Sequence, residues 1–290
     1  MWIAWAFGSA FFAGAVAILA KIGMQSTSAN LATALRTVVV VILAWSLVFV
    51  GNGLPELPSD NTLPMLFLVL SGLATGGSWL AYLHALRVGP VNPVVAIDDA
   101  SIVLTVLLGI VLFGETANWG LKVIGVLAIV LGTYMIVQWR PRSEHPVTTK
   151  QWLPLAVVAA VLASLTAILG KIGIEGIDVT LGTAIRTLVV LAMAWLVVAI
   201  SGDLRQVRSL QRRDLWFIAL SGLATGLSWL CFYQALQQGP ISAVVPIDKL
   251  SLPMTVLFSY LILRERISRR GMIGLFVILL GTLATIPGGS

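Results

Sequence analysis

Asp98 and Asp248 occupy matching places in two apolar runs, in the strings Ile-Asp-Asp and Ile-Asp-Lys, 150 residues apart. The same interval relates Arg36 to Arg186 and Lys21 to Lys171. An ionisable side chain in hydrocarbon costs several kcal/mol unless it finds a counter-charge or water, so such residues mark ion, proton or substrate sites by default. Their chemistry is binding, gating and proton passage. Covalent catalysis would need a nucleophile beside a base, or clustered metal ligands. The chain supplies one cysteine, Cys231, and two histidines, His84 and His145, at no metal-binding spacing. No cofactor or metal is expected, and no Gly-x-x-x-x-Gly-Lys-Ser/Thr loop is present for ATP.

The two charged sets differ. Lys21, Arg36, Asp98 and Asp99 are neutral together, whereas Lys171, Arg186, Asp248 and Lys249 carry two net positive charges. An electropositive cavity disfavours a plain organic cation and suits a zwitterion or an anion. Each set is expected to act as a gate at one end of a central cavity. The structural alternative is snorkelling lysines and a fixed Arg–Asp lock within each half. Trp79 and Trp229 lie well inside their spans and, with Tyr82 and Tyr233, could stack on a ligand. Trp2, Trp119 and Trp152 lie near span ends and suit an interfacial belt. His84 and its counterpart Gln234 close the third spans; His84 could relay protons, though an interfacial role suits it better. The motifs Gly72-x-x-x-Gly76 and Gly222-x-x-x-Gly226 read first as close helix packing. Glu115 and Glu265 read as loop or helix-cap carboxylates.

The elements that must position these residues are membrane helices. Of 290 residues, 58% are hydrophobic and 10% charged, against roughly 25% charged in soluble domains. A net charge of +6 suits basic loops beside an anionic leaflet, and nucleic acid is not an expected partner. A spanning helix needs roughly 20 apolar residues. Ten stretches qualify: 2–22, 31–50, 63–86, 91–113 and 119–138, then 152–174, 179–200, 215–237, 241–263 and 271–287. The first run has no charged leader or small-residue cleavage site and reads as an anchor helix. Strands are not expected in hydrocarbon outside closed barrels.

The ten spans form one unit written twice. Ser71–Leu80 and Ser221–Leu230 differ only at Gly77 against Leu227. The expected organisation is a first repeat over 1–139, a linker over 140–151 and a second repeat over 152–290. Five spans is an odd number, so the second copy must enter the membrane inverted. The loop between spans two and three has no Lys or Arg in the first half, and its second-half equivalent has four. The basic loops follow spans five, seven and nine, all on one side. The positive-inside rule makes that side cytoplasmic and places both termini outside. The expected fold is therefore an all-α membrane protein, ten transmembrane helices as two inverted five-helix repeats around a central cavity.

At these residues the chain resembles the EamA family of the drug/metabolite transporter superfamily. The resemblance rests on the Gly14…Lys21 spacing and its copy Ser164…Lys171, on Arg36 and Arg186, and on Ala85-Leu86-Arg87. Gly114-Glu115 and Arg264-Glu265-Arg266-Ile267-Ser268 complete it. Each motif is weak alone; their order and double occurrence are specific. The resemblance implies a ten-helix fold and secondary transport of small metabolites, often export. Small multidrug exporters of that superfamily carry a glutamate in the first span, where this chain has only Lys21, which argues against simple proton/drug-cation exchange.

The leading expectation is a secondary active transporter of a small polar metabolite in a bacterial-type inner membrane. Its partners are the small-molecule substrate, the lipid bilayer and, as a candidate coupling ion, the proton. A flippase or lipid-linked carrier, an intramembrane enzyme and a structural or sensory module are the rival readings.

Overall fold

The structure is a computed structural model that describes residues 1–24, 26–50, 62–88, 91–137, 152–264 and 269–286. The expected linker 140–151, the Gly89-Pro90 turn, most of the loop after the second span, His145 and Glu265–Ser268 lie outside the described residues.

Helix is the only regular structure among the described residues. The first half contributes α1 (Trp2–Gly23), α2 (Ala29–Val50), α3 (Leu63–Val88), α4 (Val91–Asp99), α5 (Ser101–Leu112) and α6 (Trp119–Val137). The second contributes α7 (Trp152–Ile174), α8 (Val179–Ser201), α9 (Arg212–Gln238), α10 (Ile241–Asp248), α11 (Ser251–Leu263) and α12 (Arg269–Thr285). A 3-10 helix, Asp203–Ser209, joins α8 to α9. Among the described residues, eight helical stretches are long and apolar enough to cross a bilayer by length and composition. Of the ten stretches expected, 91–113 and 271–287 are not among them. Large apolar side chains such as Phe49, Leu131, Trp216 and Leu283 point outward over the surface, as a lipid-facing exterior requires.

The fourth stretch of each half, one span by hydropathy with prolines near its charged pair that suggest a bend, is broken in two. The break follows Asp98-Asp99 in one half and Asp248-Lys249 in the other. At both breaks the backbone tightens to shorter bonds, Val103 N–H to Ala100 O at 3.0 Å and Leu252 N–H to Lys249 O at 3.1 Å. Pro253 explains the second: it has no N–H to offer the carbonyl four residues back, that of Lys249, so Leu252 takes it. Val103 stands at the matching place in the first half. Proline is thus not the common cause; the pair of charged residues is the feature both breaks share.

The helices pair between halves rather than within them. α1 packs on α9 and α3 on α7, and these two pairs exchange under the 150-residue shift. α2 packs on α8 and α6 on α12, each helix against its own counterpart. Glycines make the closest approaches. A Cβ on Gly125 would lie 2.5 Å from Gly281 O, and one on Gly132 2.6 Å from Gly274 O. Rising residue numbers on α6 meet falling numbers on α12, so this crossing is antiparallel. Small residues of this kind let backbones meet in lipid, where the hydrophobic effect does not draw helices together.

Polar loop contacts agree in direction. Ser26 donates its N–H and hydroxyl to buried Asp214, Ser28 N–H donates to Gln206 Oε1 at 2.9 Å, and Asn30 donates to Asp203 at 2.7 Å. The α1–α2 turn therefore sits at the same end as the α8–α9 connection. α8 has 23 residues and is about 34 Å long at 1.5 Å per residue, so the α7–α8 turn, the counterpart of α1–α2, lies at the far end.

Glu115 links the halves a second way. Its two carboxylate oxygens accept from Ile241 N–H and Ser242 N–H, each at 2.8 Å. It caps the N-terminus of α10, where the free N–H groups and the helix dipole favour an anion. The helix-cap reading of Glu115 holds, but the helix it caps belongs to the other half.

Two outcomes follow for the unfolding temperature of the purified protein in detergent. Gly281→Val should force α6 and α12 apart and destabilise by about 1–3 kcal/mol, whereas Gly120→Ala, with nothing within 4 Å of its Cβ position, should leave stability unchanged or raise it by up to about 1 kcal/mol. Glu115→Ala should cost about 1–2 kcal/mol by uncapping α10.

Candidate functional site

A cavity of about 410 Å³ lies between the halves, lined from α1, α2, α3, α7, α8, α9 and α10. Much of its lining comes in repeat-related pairs: Arg36 with Arg186, Thr75 with Thr225, Trp79 with Trp229. Asp248 enters it alone, without Asp98.

Arg186 is 3% exposed. Its Nε donates to Ser71 Oγ at 3.1 Å and its Nη2 to Thr75 Oγ1 at 2.7 Å. Both hydroxyls spend their own protons on carbonyls: Ser71 donates to Thr166 O at 2.7 Å and Thr75 to Ser71 O at 2.9 Å. Each is left able to accept from the guanidinium, which explains why Ser71 and Thr75 suit an arginine from the other half. Trp229 and Tyr233 face the guanidinium at 4.9 and 5.2 Å from their ring centroids, a cation–π arrangement that gains from the burial of Arg186. Nη1 is buried and has no hydrogen-bond partner. The third face of this cation is therefore unsatisfied, and it belongs to a residue that lines the cavity.

Asp248 accepts from Ser9 Oγ at 2.5 Å. Ser228 donates to Ser9 O at 3.1 Å and fixes that serine on α1. Next to it, Lys249 turns away from the cavity lining and pairs with Asp99 at 2.9 Å. Asp99 and Lys249 are the same position in the two repeats, so this ion pair lies where the halves exchange. The side chains are 20% and 26% exposed. Asp98 sits beside it with one carboxylate oxygen buried and without a hydrogen bond.

The other expected site residues are distributed differently. Tyr82 lines a smaller space of about 160 Å³ that shares Arg36 and Trp79 with the cavity and reaches Ala29 and Asn30, in the first turn of α2. Lys171 is buried away from the cavity and donates to Leu236 O at 3.0 Å and Gly239 O at 2.8 Å, the end of α9. Lys21 and His84 are exposed, and Gln234 is half-buried outside the cavity lining. The Lys–Arg–Asp sets are thus not gathered within a half: Arg186, Asp248 and Lys249 each take partners from the first half. Ser9, Ser71 and Thr75 hold Asp248 and Arg186 through their hydroxyls, and spacing alone assigned them no such role. Their signal was present in the repeat of Ser71 and Thr75 as Ser221 and Thr225, but a hydroxyl's partner is not written in its own helix.

The two ends of the cavity differ. Toward the α7–α8 turn, Thr183 and Tyr233 are buried, Lys171 holds the end of α9, and Gln237 donates to Ile174 O and Ile177 O at 3.0 Å. Toward the α1–α2 turn, the smaller space continues from Arg36 and Trp79 to the start of α2. Arg205, Arg212 and Arg213 are exposed at this second end.

Comparison with known proteins agrees with this architecture. The EamA-like transporter family matches twice, over residues 1–138 and 150–286. A curated relative from Sinorhizobium sp, described as an uncharacterized transporter in the cobO 3' region, is 37% identical over 135 residues, which make up 47% of this chain and 96% of the relative. That relative has the length of one repeat. A solved crystal structure superposes with a TM-score of 0.77 at 17% identity, covering 98% of this chain and 97% of its own, and so shares the fold. With both halves matched, the chain belongs to the EamA-like transporter family.

Proposed function

We propose that the chain is a secondary active transporter with ten spans in two inverted repeats, and that it carries a small polar metabolite, an amino-acid-like zwitterion or anion, by alternating access. The observation that carries this reading is the cavity between the halves, which shares Arg36 and Trp79 with a second space that reaches the start of α2. It contains a cation and an anion from opposite faces of the seam, Arg186 and Asp248. Rocking one half against the other would expose this cavity to each side of the membrane in turn.

The exposed arginines at the α1–α2 end place that end in the cytoplasm by the positive-inside rule. In that orientation the termini face outward, the membrane is the cell's inner membrane and the cavity loads from the cytoplasm, as export requires. Asp248 and its neighbour Asp98 are the groups through which a coupling proton could pass.

Purified protein in proteoliposomes tests the reading. A metabolite found by thermal-shift screening should show counterflow, and Asp248→Asn should reduce it by about tenfold or more while membrane insertion stays normal. Full transport in both Asp98→Asn and Asp248→Asn proteins would remove these residues from the mechanism. In cells, cysteines at Ala117 and Arg205 should react with an impermeant maleimide from opposite faces; labelling from one face would end the inverted arrangement.

A further inference from the structure

We propose that the cavity selects a cargo with one net negative charge, built as an amino acid with a second acidic group. One acid seats on the Arg186 guanidinium, the other on Arg36, and the ammonium at Asp248. The proposal rests on the transporter reading above and names its substrate class.

Three observations carry it. Arg186 is buried, oriented by two hydroxyls and two aromatic rings, and still has one guanidinium nitrogen unpartnered. A buried donor left in this state needs an acceptor, and a carboxylate is the acceptor that matches a guanidinium's geometry and charge. Arg36 lines the same cavity and makes no hydrogen bond or ion pair among the described residues. Asp248 has one oxygen engaged by Ser9 and remains a lining residue. The ionised groups lining the cavity thus leave one positive charge in excess. In a site walled by apolar helices this excess is costly, and a cargo of opposite charge relieves it. A neutral amino acid satisfies Arg186 and Asp248 but leaves Arg36 uncompensated. A dicarboxylate satisfies both arginines but brings a repelling charge to Asp248. An amino acid with two acidic groups meets all three.

Isothermal titration of the intact protein in lipid nanodiscs tests this with four probes: L-aspartate, L-glutamate, glutarate and L-alanine. One or both acidic amino acids should bind about tenfold or more tighter than glutarate and L-alanine. Arg36→Gln should remove the advantage over L-alanine, and Asp248→Asn should remove the advantage over glutarate. Arg186→Lys keeps the charge but loses the fork, and should weaken all four probes. Because substitution of Arg186 could disturb folding, the partly exposed Arg36 provides the independent test. L-Alanine binding as tightly as both acidic amino acids, or wild-type affinities in Arg36→Gln, would overturn the proposal. Counterflow of labelled L-glutamate separates it from the parent reading. Tight binding without counterflow leaves the site standing and sinks transport; counterflow of another metabolite, with no binding of either acidic amino acid, does the reverse.

Discussion

A charge in hydrocarbon must be answered, and for Arg186, Asp248 and Lys249 the hydrogen bonds come from the other half. Arg186 on α8 is held by Ser71 and Thr75 on α3. Asp248 on α10 is held by Ser9 on α1. Lys249 is paired with Asp99, and the start of α10 is capped by Glu115. Lipid supplies no hydrophobic force between helices, so packing and polar contacts must join the halves. The α6–α12 crossing does the first with glycine, away from the cavity. The centre does the second with charge. The division has a mechanical consequence: glycine contacts hold at close range and favour a fixed pivot, whereas hydrogen bonds to a cavity-lining arginine can be exchanged for bonds to a ligand.

The repeat made much of this legible before any coordinates. The offset of 150 residues and the opposed loop charges point to antiparallel halves, the direction in which α6 and α12 cross, and composition requires helices. Family membership rested on motifs that occur twice in one order. What the sequence concealed is which atom meets which. Arg186 and Asp248, members of one presumed set, face the same cavity but take their partners from α3 and α1. Hydropathy treats Val91 to Phe113 as continuous, because a helix break inside a span removes no apolar residue from the window. Nor does spacing reveal that Glu115, in a surface loop, caps a helix 126 residues away. Such long-range pairings depend on how the halves dock, and docking is a property of two surfaces rather than of either string.

Symmetry also explains where the copies had to diverge. If the cavity sits where the halves exchange, identical repeats would give it two identical ends and no built-in preference between them. The substitutions that break this equality lie at the cavity. Tyr233 faces Arg186, whereas its counterpart by the 150-residue shift is Leu83, beside Arg36. One arginine is thereby immobilised between aromatic rings and hydroxyls, and the other is left with room around it. The energetic difference between the two ends is written in a few side chains, on a backbone that treats them alike.

The Asp99–Lys249 pair is the clearest sign of what a fused chain permits. A position that meets its own copy must, in a dimer of identical chains, present the same residue twice. Two aspartates at this place would repel, and two lysines likewise. Within one chain the copies can differ, and here they differ in sign, turning a repulsion into an ion pair at 2.9 Å. The pair favours the meeting of unlike halves over like ones and so specifies orientation as well as attraction. It also lies at the break in both α4–α5 and α10–α11, next to Asp98 and Asp248. A shift of one half against the other must therefore either carry this pair as its hinge or open it. Which of the two occurs determines whether Asp98, with its unpartnered oxygen, stays at rest or gains a lysine when the cavity changes sides.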